Sequence, residues 1–97
     1  MADGSVRTRI VALDRLVEAI RPGERIYLPG SAGEPTALLD RLAADPGRTR
    51  NLDIWTSAIP GINAVPADRL DPSATVTGIF MQPGLRGAQA EGRYRHL

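Results

Sequence analysis

Glu34 stands between Gly33 and Pro35 in the run Pro29-Gly30-Ser31-Ala32-Gly33-Glu34-Pro35. A carboxylate there has two chemical uses. It can act as a nucleophile and form acyl and thioester intermediates, or it can rest beside a helix amino terminus, where the dipole stabilises its charge. The second use favours the ionised form, which suits an anion contact better than a proton donor. Gly30, Ser31, Ala32 and Gly33 are small, so a ligand can approach their backbone, and N–H groups opening a helix attract anions or carbonyl oxygens. Glycine also serves strand-to-helix turns for steric reasons alone. The pattern therefore fits a ligand site, with its N–H groups facing a cleft, or a plain connection.

Other chemistries lack their residues. A Walker loop needs a Lys after its last glycine, and all twelve basic residues here are Arg. A dinucleotide fingerprint needs Gly-x-Gly-x-x-Gly, whereas Gly30 and Gly33 supply only Gly-x-x-Gly. The absence of cysteine removes disulfides, thiolate nucleophiles and cysteine zinc sites. His96 is the single imidazole, no carboxylates cluster around it in the sequence, and no metal is expected. Ser31 falls short of a Gly-x-Ser-x-Gly elbow, and His96 as its base would lie in a frayed end. Arg86, Arg93, Arg95 and His96 form one basic cluster, able to contact phosphates, or simply solvated at a helix end. A net charge of +1 does not point to a polyanion. Trp55 and Tyr94 are too isolated for a base-stacking platform, so no nucleic-acid partner is expected. Trp55 is expected in the core.

These residues need elements to hold them. Leu13, Leu16, Val17 and Ile20 recur at helical spacing, predicting an amphipathic helix over 10–20 that Pro22 and Gly23 stop. Ile26, Tyr27 and Leu28 form a short apolar run suited to a strand buried on both faces of a parallel sheet. Pro35 fits the first helical position, and Leu38, Leu39, Leu42 and Ala43 continue a second helix. Strands are expected at 52–56 and 75–80, separated by 57–73, which holds three prolines and no recognisable pattern. A short helix then runs through Glu91, capped by Gly92. The expected fold is α/β, a mainly parallel sheet with flanking helices and right-handed crossovers.

Ninety-seven residues allow one small domain with a thin core, aliphatic because aromatics make up only 4%. Three strands would leave a narrow sheet with an exposed edge, and residues 93–97 stop where a further strand is due. The chain is therefore expected to be an incomplete domain, or one completed by a partner. No run is long and apolar enough for a membrane span and the first residues lack a signal segment, so no membrane association and a cytoplasmic location are expected.

Residues 22–42, from Pro22-Gly23-Glu24-Arg25-Ile26-Tyr27-Leu28 through the glycine turn into Thr36-Ala37-Leu38-Leu39-Asp40-Arg41-Leu42, resemble the opening of acetyl-CoA hydrolase/transferase family proteins. These include 4-hydroxybutyrate and succinyl-CoA:acetate CoA-transferases. The segment Gly84-Leu85-Arg86-Gly87-Ala88-Gln89-Ala90-Glu91-Gly92-Arg93-Tyr94 is similar to a later part of that family, where an Arg-containing helix ends in Glu-Gly-Arg before a strand. The resemblance implies a two-domain enzyme of α/β halves with its active site between them. It further implies a nucleophilic glutamate in the carboxy-terminal half, none in this segment, acyl-CoA and a small carboxylate as substrates, CoA as substrate rather than cofactor, and a homo-oligomer as an open option. Gly30, Ser31, Ala32, Gly33, Glu34 and Pro35 would then line the acyl or carboxylate pocket, Glu34 at a variable position. From a different class, an α/β interaction or regulatory module completed by a partner chain fits the same elements.

Overall fold

The computed structural model describes residues 10–97 apart from 60, 61, 64 and 82. Helix α1 (Leu13–Ala19) buries Val17, with Ile20 just beyond its end, and leaves Asp14, Arg15 and Glu18 exposed. It starts later than its apolar pattern suggests, because Ala12 is extended and offers no side-chain cap. The Arg48 guanidinium reaches the carbonyls of Val17 and Ile20 at its other end, at 3.4 and 3.5 Å. Gly23, at φ 85, makes the turn into strand β1 (Arg25–Leu28).

Helix α2 (Thr36–Ala44) buries Leu38, Leu39, Leu42 and Ala43, one stripe at helical spacing. Pro35 precedes the helix as its cap rather than occupying its first turn. Strands β2 (Asp53–Thr56) and β3 (Thr75–Gly78) follow, then helix α3 (Arg86–Ala90) and strand β4 (Tyr94–His96). The strand pairs β1–β2, β2–β3 and β3–β4 are all parallel, in sequential order, giving the α/β architecture expected from the pattern.

Two expectations are corrected. The sheet has four strands, not three: Tyr94, Arg95 and His96 pair with Val76, Thr77 and Gly78, and the Leu97 N–H donates to the Gly78 carbonyl at 2.9 Å. Three residues carry too little pattern to announce a strand, and β3 supplies the ladder that makes one. Nor is β1 buried on both faces. Ile26 and Leu28 turn toward the core with Ile54, Val76 and Tyr94, whereas Tyr27 is 62% exposed.

The reason lies in how the layers stack. Val17, Leu38, Leu39, Leu42 and Ala88 from the three helices, with Leu85 just before α3, join one core cluster with the inward residues of the sheet. All three helices thus lie on one face. The opposite face carries Arg25, Tyr27, Asp53, Trp55, Thr75, Thr77 and Arg95, with no helix over it among the described residues. Parallel sheets are ordinarily covered on both sides. Among the described residues no helix is long and apolar enough to cross a membrane.

Candidate functional site

The glycine turn joins the carboxy end of β1 to the amino end of α2, the edge of a parallel sheet where ligands bind. Ser31, Ala32 and Gly33 form a single 3-10 turn and are exposed. Ser31 has φ 53, a left-handed conformation that costs a non-glycine residue roughly 1 to 2 kcal/mol. Asn63 holds it there. Its Oδ1 accepts from the Ser31 N–H at 2.6 Å and the Ile59 N–H at 2.9 Å, while its Nδ2 donates to the Ser31 carbonyl at 2.9 Å. Asn63 is buried, so these bonds are shielded from competing water.

Ser57 makes the second clamp. Its Oγ accepts from the Gly30 N–H at 3.0 Å and lies 2.7 Å from the Tyr27 hydroxyl. A Cβ on Gly30 would collide with the Ser57 carbonyl and come within 2.7 Å of Ala58 Cα. Gly30 is therefore needed for the contact between the β1 and β2 loops, without any ligand. Gly33 differs: a Cβ there would meet Pro29 at 3.5 Å, an ordinary contact.

Glu34 is half-buried beside the start of α2. Thr36 Oγ1 donates to its Oε2 at 3.3 Å, and Oε1 has no partner among the described residues. The expectation that the turn presents its N–H groups to a cleft is corrected, because these groups are already paired. The N–H groups of Gly30, Ser31, Gly33, Glu34 and Thr36 all donate within the chain. What the turn offers outward is the surface of Ser31, Ala32 and Gly33.

Ser57 and Asn63 escaped the sequence reading because they sit in the unpatterned stretch 57–73. Their part depends on the β2–β3 connection folding back over a turn some thirty residues earlier, the separation being 27 for Ser57 with Gly30 and 32 for Asn63 with Ser31. No local signal carries that.

The basic cluster does not stay together. Arg93 is largely buried and donates to the Leu70 carbonyl at 2.8 Å, Arg86 is exposed on α3, and Arg95 rises on the open sheet face. His96 is not in a frayed end; it lies in β4, with Nε2 2.8 Å from the Ile79 carbonyl. Trp55 is outside the core cluster and half-exposed on the open face, with the Arg25 guanidinium 5.4 Å from its ring centroid. Asp53 sits between Arg25 at 2.7 Å and Arg95 at 3.4 Å. Burial pushes its carboxyl pKa up, but the Arg25 hydrogen bond, the nearby Trp55 indole N–H and the two guanidinium charges outweigh burial and hold it below the ordinary value. The indole N–H acts by proximity, without a hydrogen bond of normal geometry.

Compared with family models, curated proteins and solved structures, the chain matches none.

Proposed function

We propose that this chain is the amino-terminal part of an acyl-CoA:carboxylate CoA-transferase or acetyl-CoA hydrolase, contributing the Gly30 to Pro35 turn to the acyl or carboxylate pocket. The observation that supports the reading most is Ser31, strained at φ 53 and clamped by Asn63 at the carboxy edge of a parallel sheet. Backbone strain kept by surrounding bonds concentrates at functional sites. The substrate would meet the exposed Ser31 to Gly33 surface, and the nucleophilic glutamate would come from a second α/β half. CoA is a substrate here, and a cytoplasmic location accompanies the reading.

Gly33→Val in the protein that carries this segment is the test. The side chain has room and φ is not left-handed, so the melting temperature should move by only a few degrees. CoA transfer from acetyl-CoA to acetate, succinate or 4-hydroxybutyrate, or thioester hydrolysis, should fall at least about tenfold in kcat/KM. No turnover by the unsubstituted protein with any of these, or full activity in Gly33→Val, overturns the assignment. The open sheet face favours the second reading, an interaction or regulatory module completed by a partner chain. A stable one-to-one complex that covers Tyr27 and Trp55, formed by a protein without turnover, would establish that reading instead.

A further inference from the structure

Arg25 and Tyr27 on β1, Asp53 and Trp55 on β2, Thr75 and Thr77 on β3 and Arg95 on β4 make up the face of the sheet that no helix covers among the described residues. Leu97 joins them: its N–H continues the β4 ladder to the Gly78 carbonyl, and strand alternation turns it to the same side as Arg95. Thr77 is 2% exposed, so the face has no slot between Trp55 and Arg95 for a ligand to enter. It offers a surface to pack on. Four strands span about 14 Å, and an α-helix with its side chains is about 10 to 12 Å across, so the surface holds one helix and not two.

Two kinds of side chain are open to a partner there. Tyr27 is 62% exposed, Leu97 is 70% exposed and Trp55 is half-exposed, which leaves apolar area to be covered. The charged groups at the strand positions of this face are Arg25, Arg95 and Asp53. Asp53 serves both guanidiniums, Arg25 at 2.7 Å and Arg95 at 3.4 Å, and both arginines stay largely exposed. The surface therefore carries one positive charge in excess. A second copy docked face to face would set its own excess against the first, a like-charge contact that opposes pairing. Parallel sheets are covered by helices rather than by other sheets, so a helix with negative charge is the complementary occupant.

We infer that one amphipathic helix of a partner protein, apolar along a stripe and acidic beside it, covers this face. Its stripe packs on Tyr27, Trp55 and Leu97, and its carboxylates pair with Arg25 and Arg95. The inference rests on the partner-completed reading above and gives that partner its chemistry; it uses no residue of the glycine turn.

Trp55 is the single tryptophan, so its fluorescence reports the face directly. The intact protein is titrated with a helical peptide of about 18 residues that carries a leucine stripe flanked by Glu. Its counterpart with every Glu replaced by Lys, and a scrambled isomer of the first peptide, are titrated in parallel. A saturable response to the Glu peptide, at least about tenfold tighter than to either of the others, is expected. Arg95→Glu should weaken the Glu peptide at least about tenfold and strengthen the Lys peptide, while Arg86→Gln, exposed on α3, changes neither. Both variants should melt within a few degrees of the parent, since both sites are exposed. No saturable response to the Glu peptide overturns the proposal. So does equal binding of the scrambled or Lys peptide, or unchanged affinity in Arg95→Glu. A complex in which a strand, or a second copy of this chain, protects Tyr27 and Trp55 also overturns it, while leaving the partner-completed reading standing.

Discussion

Ser31 and Gly30 occupy neighbouring positions yet answer to different physics. The Gly30 requirement is steric, since any Cβ meets the Ser57 carbonyl. Gly30→Ala should destabilise by about 2 kcal/mol or more, read from chemical denaturation. The Ser31 cost is conformational. Ser31→Gly should leave stability unchanged or raise it by up to about 1 kcal/mol, whereas Ser31→Val should lower it by more than about 1 kcal/mol. Asn63→Ala removes the acceptor of two N–H groups and the donor to one carbonyl, with an expected loss of about 2 to 4 kcal/mol. If Asn63→Ala cost less than about 1 kcal/mol, the clamp would not be what holds Ser31 in its strained conformation. The small residues of 30–33 were visible in the sequence as a turn. Which of them is small for packing was not, because the neighbour that decides it, Ser57, arrives from another strand.

At the scale of elements, α2 and β4 show two ways of being specified. The leucine stripe of α2 encodes its own buried face, and Leu42, fully buried, should cost about 2 to 5 kcal/mol on change to Ala. The Asp14 to Arg41 ion pair joining α1 to α2 is exposed at both partners, so Asp14→Asn should change stability by less than about 1 kcal/mol. Strand β4 has no such internal pattern. It is held by its ladder to β3 and by Tyr94, whose hydroxyl donates to the Phe80 carbonyl and whose ring end lies against Gly78. A Cβ at Gly78 would strike that hydroxyl. Gly78→Ala should therefore loosen β4 first, seen as faster hydrogen exchange at the Val76 amide, which donates to the Arg93 carbonyl at 2.8 Å. Unchanged exchange there would mean that Tyr94 is not what fastens the edge strand.

For the whole molecule, acid should be destabilising, because both shifted carboxylates move the same way. Asp53 lies below its ordinary value for the reasons given above. Asp71 is lowered by the Ser73 hydroxyl and backbone N–H against a smaller opposing effect of burial, with Arg50 and Arg93 adding less than either. A lowered folded pKa means the unfolded chain binds more protons near pH 4, so stability rises with pH there. The contribution is complete above about pH 5 and is lost as pH falls through the folded values. The urea midpoint should drop between pH 6 and pH 3, and Asp53→Asn should shrink that difference; an equal drop in the variant would remove Asp53 from the cause. The sequence by itself determined the helices, three of the strands, their parallel α/β arrangement and the placement of the glycine turn between β1 and α2. Those follow from spacing and turn chemistry, which are local. Only the tertiary structure decided the fourth strand, the crowding of all three helices on one face, the Ser57 and Asn63 clamps, and the placement of Trp55 and Arg95 outside the core in one row with Thr77. Each depends on residues brought together across strands, and a strand's side-chain alternation says that two faces differ without saying which the helices will cover.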